Sequence, residues 1–98
     1  MATKSAPDEI ELEDLLQRMV QHVIFQLNDA FTRQSVLDEI NKMFEGSFIV
    51  DTSTNYDEFR YSVYTDEDGT KFCYDLSVSF SNGCHRYWTK REINIAQT

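Results

Sequence analysis

Residues 58–95 read EFRYSVYTDEDGTKFCYDLSVSFSNGCHRYWTKREINI. Phe59, Tyr61 and Val63 alternate with polar residues, and after Asp68-Gly69 the alternation resumes at Phe72, Tyr74, Leu76, Val78 and Phe80. A period of two marks strands with one buried face. Asp68-Gly69 lies between two such runs and supplies the left-handed backbone that a two-residue hairpin turn requires, and Asn82-Gly83 is a second pair of the same kind.

Two-residue turns set a register that the side chains can test. Around Asp68-Gly69, Val63 faces Tyr74, Tyr61 faces Leu76 and Phe59 faces Val78. Around Asn82-Gly83, Phe80 faces His85, Val78 faces Tyr87, Leu76 faces Thr89 and Phe72 faces Ile93. Both hairpins then collect their apolar residues on one face, and the reverse face sets Asp66 against Lys71 and Asp75 against Lys90. This register puts Trp88 on the face away from the apolar one, beside Ser77 and between Arg86 and Lys90, to be covered by the arm or residues 51–57 or to anchor an interface.

Upstream, residues 51–57 are polar and read as a loop, and Ser47-Phe48-Ile49-Val50 has the composition of a further short strand. From Glu9, Leu12, Leu15, Leu16, Met19, Val20, Val23, Ile24 and Leu27 recur at spacings of three and four, the stripe of an amphipathic helix. Acids at Asp8, Glu9, Glu11, Glu13 and Asp14 crowd its start, where the helix dipole favours them. After Asn28-Asp29-Ala30-Phe31, Thr32 is the expected N-cap of a second helix with Val36, Leu37, Ile40, Met43 and Phe44 buried, and Gly46 is its stop.

The expected fold is therefore α+β, with two N-terminal helices packed on one face of a three-stranded antiparallel meander, four-stranded if residues 47–50 join it. Residues 1–8 are expected to be a flexible arm and residues 9–98 a single domain, as a length of 98 residues suggests.

The net charge of −8 argues against a binder of nucleic-acid backbones, which needs clustered Lys and Arg. Residues 1–70 carry a net −10 and residues 71–98 a net +2, a polarity suited to head-to-tail docking as well as to plain solubility. No apolar run reaches the roughly 20 residues of a membrane span and residues 1–7 lack a signal-peptide layout, so a soluble, membrane-free protein is expected.

The two cysteines do not suggest a disulfide: Cys73 faces Glu92 and Cys84 faces Ser81, about 25 Å apart along the sheet. His22 lies off the main helical stripe and His85 has no metal-type partner beyond Cys84, so no metal site is expected. No phosphate loop, nucleophile elbow or acid–base pair can be named; no catalytic residue and no cofactor are expected. The outer strands, residues 58–66 and 85–95, leave backbone edges that must be blunted or used. The candidate partner interface is Arg86, Tyr87, Trp88, Thr89, Lys90, Arg91, Ile93 and Ile95, where a neighbouring strand could add.

The segment from Val23 to Arg33 carries Phe25, Asn28, Asp29, Thr32 and Arg33 in the spacing F-x-x-N-D-x-x-T-R. This phrase resembles the helix-to-helix junction of the C-terminal domain of contractile phage tail sheath proteins and of the related baseplate sheath-initiator protein. The likeness runs loosely over residues 12–95; the initiator pattern has Glu-Pro-Arg after its second helix where this chain has Glu45-Gly46-Ser47. The resemblance implies a virion structural protein made in the host cytoplasm, docking with sheath protein and other tail or baseplate subunits in a ring through β-augmentation. With 98 residues beginning at Met1, a free-standing initiator-like or sheath-related protein is expected rather than a complete sheath subunit. The alternative from composition is a small acidic inhibitor whose carboxylates occupy a basic, nucleic-acid-binding site on a host protein.

Overall fold

The computed structural model describes residues 6–25, 28–55 and 57–93. Two helices, α1 (Glu9–Phe25) and α2 (Asp29–Met43), precede four strands, β1 (Phe48–Asp51), β2 (Glu58–Glu67), β3 (Thr70–Ser79) and β4 (His85–Glu92). The strands form one antiparallel sheet in sequence order, and both helices cover one of its faces, as the α+β expectation had it. β1 pairs Ile49 with Val63 and Val50 with Ser62, so β2 is an inner strand rather than the outer one expected.

α1 starts with a reciprocal cap: Asp8 Oδ1 accepts from the Glu11 N–H at 2.8 Å, and Glu11 Oε1 accepts from the Asp8 N–H at 3.0 Å. Two otherwise orphaned donors are satisfied, worth about 1 kcal/mol. Part of the acidic cluster is thus a capping box, and Asp8 belongs to the helix start rather than to a free arm. Residues 1–5, Leu27 and Ile95, all included in the expectations above, lie outside the described residues.

The N-cap of α2 is Asn28, not Thr32. Asn28 Oδ1 accepts from the Phe31 N–H at 3.0 Å, while Thr32 sits one turn inside and its hydroxyl donates back to the Asn28 carbonyl at 2.8 Å. Asn outranks Thr as a cap, and starting the helix four residues earlier buries Thr32 with its hydroxyl satisfied.

The core joins Leu12, Leu15, Leu16, Met19 and Val20 of α1 and Val36, Ile40 and Phe44 of the α2 region to Phe59, Tyr61, Val63, Tyr74, Leu76 and Val78 of the sheet. Phe44 lies against the Tyr74 ring at 4.9 Å between centroids, tilted as aromatic quadrupoles prefer. The first hairpin has the expected register throughout, with Asp68 and Gly69 at φ 59° and 89° as its two-residue turn.

The second hairpin does not. Asn82 and Gly83 do take φ 57° and 104°, but the last paired residues are Ser79 and His85, which leaves residues 80–84 as a five-residue loop. Phe80 leaves the β3–β4 ladder to pack against the core, and its N–H donates to the Asp57 carbonyl at 2.8 Å. The ladder is therefore one residue out of the expected register, which moves every β4 side chain to the other face. Trp88 faces Leu76 on the helix side, Lys90 faces Tyr74, Thr89 faces Asp75 and Cys73 faces Arg91.

Candidate functional site

β4 is the long outer strand of the sheet, and its ladder with β3 decides which backbone groups are available. The Ile93 N–H donates to the Lys71 carbonyl at 2.8 Å, so odd-numbered residues of this strand turn their N–H and C=O toward β3. Antiparallel ladders alternate. The even-numbered residues Arg86, Trp88, Lys90 and Glu92 therefore turn theirs outward, where among the described residues no further strand pairs. On the opposite edge, the Thr52 N–H donates to the Arg60 carbonyl at 2.8 Å, and by the same alternation β1 offers only Ile49 and Asp51.

The side chains of β4 hold the strand to the body of the domain. On the helix side, the Trp88 indole packs against the core and its N–H donates to Glu13 of α1 at 3.0 Å, while Arg86 donates to Gln17 of α1. Lys90 donates to Glu67 at 3.0 Å and lies 4.3 Å from the centroid of the Phe72 ring. Glu67 also accepts from the Tyr74 hydroxyl at 2.7 Å and from Thr65 at 2.8 Å. Burial pushes the Glu67 carboxyl up, but these three donors and the lysine charge outweigh it and hold the group below its ordinary value. Burial likewise opposes the Lys90 charge, yet Tyr74 and Glu67 raise it above the ordinary lysine value.

On the helix-free side lie Tyr87, Thr89 and Arg91. Arg91 donates to Cys73 at 3.6 Å and is 3.6 Å from Asp75, which also accepts from Ser62 at 2.8 Å. Asp75 was expected to pair with Lys90; the shifted register gives it Arg91 instead. Burial, with Asp75 beside it, pushes the Cys73 thiol up, so this cysteine is an inert structural thiol.

The structure thus brings Arg86, Tyr87, Trp88, Thr89, Lys90 and Arg91 together along one edge, with Ile93 closing the ladder. It changes the part that Trp88 plays: the ring is a helix-side anchor of β4 and not an exposed one. Tyr87, 56% exposed, is the aromatic presented to solvent.

The junction residues are arranged to orient α2. Asn28 caps, Thr32 locks the first turn, and the Arg33 guanidinium stacks over the Phe59 ring at 4.4 Å while lying 3.7 Å from Asp51. Phe25, 75% exposed, together with exposed Ile24 and Phe31, makes an apolar corner that sequence periodicity assigned partly to the core. A cleft lined by Arg33, Asp51, Ser53, Thr54, Asn55, Asp57 and Ser81 is polar and open, and its Ser53 hydroxyl serves the loop by donating to the Arg60 carbonyl at 3.3 Å. Among the described residues no cluster of His, Cys, Asp or Glu could hold a metal ion, and no helix is long and apolar enough to cross a membrane.

No protein-family model, curated protein or solved structure matches this chain.

Proposed function

We propose that this domain is a non-enzymatic assembly module of a contractile phage tail or baseplate, a sheath-initiator-like or sheath-related part that takes a neighbour's extended segment as a fifth strand on β4. One observation carries the reading: β4 is held rigidly from within by Trp88–Glu13, Arg86–Gln17 and Lys90–Glu67, yet offers outward backbone groups at alternate residues from Arg86 to Glu92. A strand added there gains main-chain hydrogen bonds without disturbing the core. The setting in a tail rests on the junction phrase from Phe25 to Arg33, in which the Asn28, Thr32 and Arg33 side chains orient α2.

The inhibitor reading has less support, because several of the acids it would use already hold internal partners: Glu13 with Trp88, Asp14 with Arg18, Glu58 with Thr54 and Arg60, and Asp66 with Lys71.

Residue-resolved amide hydrogen exchange tests the proposal, first with the protein alone at a dilution where sedimentation shows it monomeric, so that β4 is unpaired, and then at the same dilution with purified sheath and baseplate subunits. Strand addition slows exchange at the amides of Arg86, Trp88, Lys90 and Glu92, while Tyr87, Thr89 and Arg91 are protected already. R86P removes one outward donor and should block co-assembly. Unchanged exchange at the even-numbered amides, or a fully active R86P protein, would sink the proposal.

A further inference from the structure

Resting on the reading of β4 as a strand-accepting edge, the geometry points to one specific occupant: we infer that the strand it accepts in the isolated protein is β4 of a second copy, paired antiparallel about Thr89. The argument is one of register. Hydrogen bonds across the new seam must join outward groups to outward groups, and these belong to Arg86, Trp88, Lys90 and Glu92. Only two-fold arrangements centred on a residue, not between two residues, set even-numbered positions opposite even-numbered positions.

Among these, the arrangement centred on Thr89 uses the whole strand and brings no like charges together. It sets Arg86 against Glu92 of the second copy, an opposite-charge pair that the symmetry makes twice. It sets Trp88 against Lys90 and Tyr87 against Arg91, each an aromatic ring beside a cation, and Thr89 against its own copy. Moving the centre one residue toward the N-terminus opposes Arg86 to Lys90, again twice, and moving it one residue the other way opposes Lys90 to Lys90. Centres further out shorten the seam, and a centre on Arg91 also opposes Arg91 to itself. The strand is thus complementary to itself in one register, although its net charge is positive and would disfavour self-pairing in most others.

The surroundings agree with this arrangement. A two-fold axis normal to the sheet keeps both helical layers on the same side, so the basic strip of the two β4 strands runs between two copies of α1. That helix carries Glu9, Glu11, Glu13 and Asp14 in its N-terminal half, and Glu13 already reaches Trp88. The result is one continuous eight-stranded sheet whose outer edges are two copies of β1, each with only Ile49 and Asp51 turned outward.

The experiment is thiol trapping combined with charge exchange, read by sedimentation equilibrium on the full chain. In a C84S background, which removes the exposed cysteine and leaves buried Cys73, T89C forms a disulfide-linked dimer under mild oxidation. Thr89 and its copy are a non-hydrogen-bonded pair, with Cα atoms about 4.5 Å apart and within disulfide reach. Y87C in the same background does not cross-link, because the two Tyr87 positions lie about 13 Å apart along the strands. Without cysteine changes, R86E and E92R each weaken the dimer by roughly tenfold, since each creates two like-charge pairs, and R86E/E92R in one chain recovers most of the loss.

A protein that stays monomeric at every soluble concentration overturns this inference. It leaves strand acceptance from a different subunit standing, which the exchange experiment with sheath and baseplate proteins decides separately. A dimer that T89C does not trap, and that ignores both charge variants, overturns the inference as well. If its even-numbered β4 amides also exchange freely in complex with those subunits, the strand-accepting reading falls with it.

Discussion

The two hairpins of the sheet use the same kind of turn pair and differ in what surrounds it. Asp68-Gly69 and Asn82-Gly83 both adopt positive φ at both residues. In the first, Asp66 Oδ1 accepts from the Gly69 N–H at 2.9 Å and Asp66 pairs with Lys71 at 2.6 Å, so the ladder closes directly on the turn at Glu67 and Thr70. In the second, Phe80 is drawn to the core and the ladder ends at Ser79. A turn pair bends the chain, but the flanking side chains decide where pairing begins. The tight hairpin builds the core; the loose one delivers a strand whose helix-side residues are Arg86, Trp88, Lys90 and Glu92, a pattern suited to an edge.

The largest effect should come from the residue both hairpins share. Leu76 is fully buried and faces Tyr61 on one side and Trp88 on the other. Leu76→Ala should cost about 2–5 kcal/mol in urea unfolding at one low protein concentration, where association does not enter. A loss confined to the protection of one hairpin would show that the two fold independently.

The register of the second hairpin is sharpened by neighbouring aromatics. Trp88→Ala removes an indole packed against the core and its bond to Glu13, and should cost about 2–3 kcal/mol, whereas Tyr87→Ala, on the exposed side, should cost less than about 0.5. The reverse order of the two losses would restore the two-residue-turn register.

The turns themselves come next. An added Cβ meets nothing within 4 Å at either Gly69 or Gly83, so alanine there acts through the backbone alone. Gly69→Ala should cost about 1–2 kcal/mol, because a two-residue turn has no slack at φ 89°. Gly83→Ala should cost less, since residues 80–84 can share the adjustment. Equal losses, measured by thermal unfolding, would mean that the longer loop is as constrained as the shorter.

The same contrast explains how much of the molecule was legible. Both helices, the first hairpin and its full register followed from strong periodicity, because most of the periodic apolar positions there are also core positions; Ile24, in the same stripe, is an exposed exception. β4 gave no such signal: Tyr87 and Trp88 are adjacent, and the helix-side positions are long cations whose stems and charges are held by Phe72, Glu67 and Gln17 rather than by apolar neighbours. A strand pattern written in Arg, Lys and Trp cannot reveal its own face. The edge could therefore be located from sequence, but not which of its backbone groups point outward. That depended on a loop whose length is set by where Phe80 packs. Proline at Thr89, the natural disruption under the expected register, would instead break the ladder with Asp75 inside the sheet.

The smallest effect concerns the charge that ties the loose hairpin to the tight one. Glu67, at the end of β2, accepts from Tyr74 of β3 and Lys90 of β4, and its carboxyl is held below the ordinary value of 4.5. A group lowered on folding binds fewer protons in the folded state, so its stabilisation is complete above that value and fades as pH falls through the folded pKa. Lys90, raised above 10.5, has the opposite limb: its contribution is complete below that value and fades as pH rises through the folded pKa. Glu67→Gln should therefore flatten both limbs of the stability–pH curve while keeping an oxygen for Tyr74. Part of the acid limb should persist, because Glu39 is also lowered: burial opposes its charge, but bonds from Arg18 and Lys42 prevail. If Glu67→Gln leaves both limbs unchanged in urea titrations across pH, the carboxylate does not couple β4 to the first hairpin, and the rigidity of the edge must come from Trp88 and Arg86 on α1 alone.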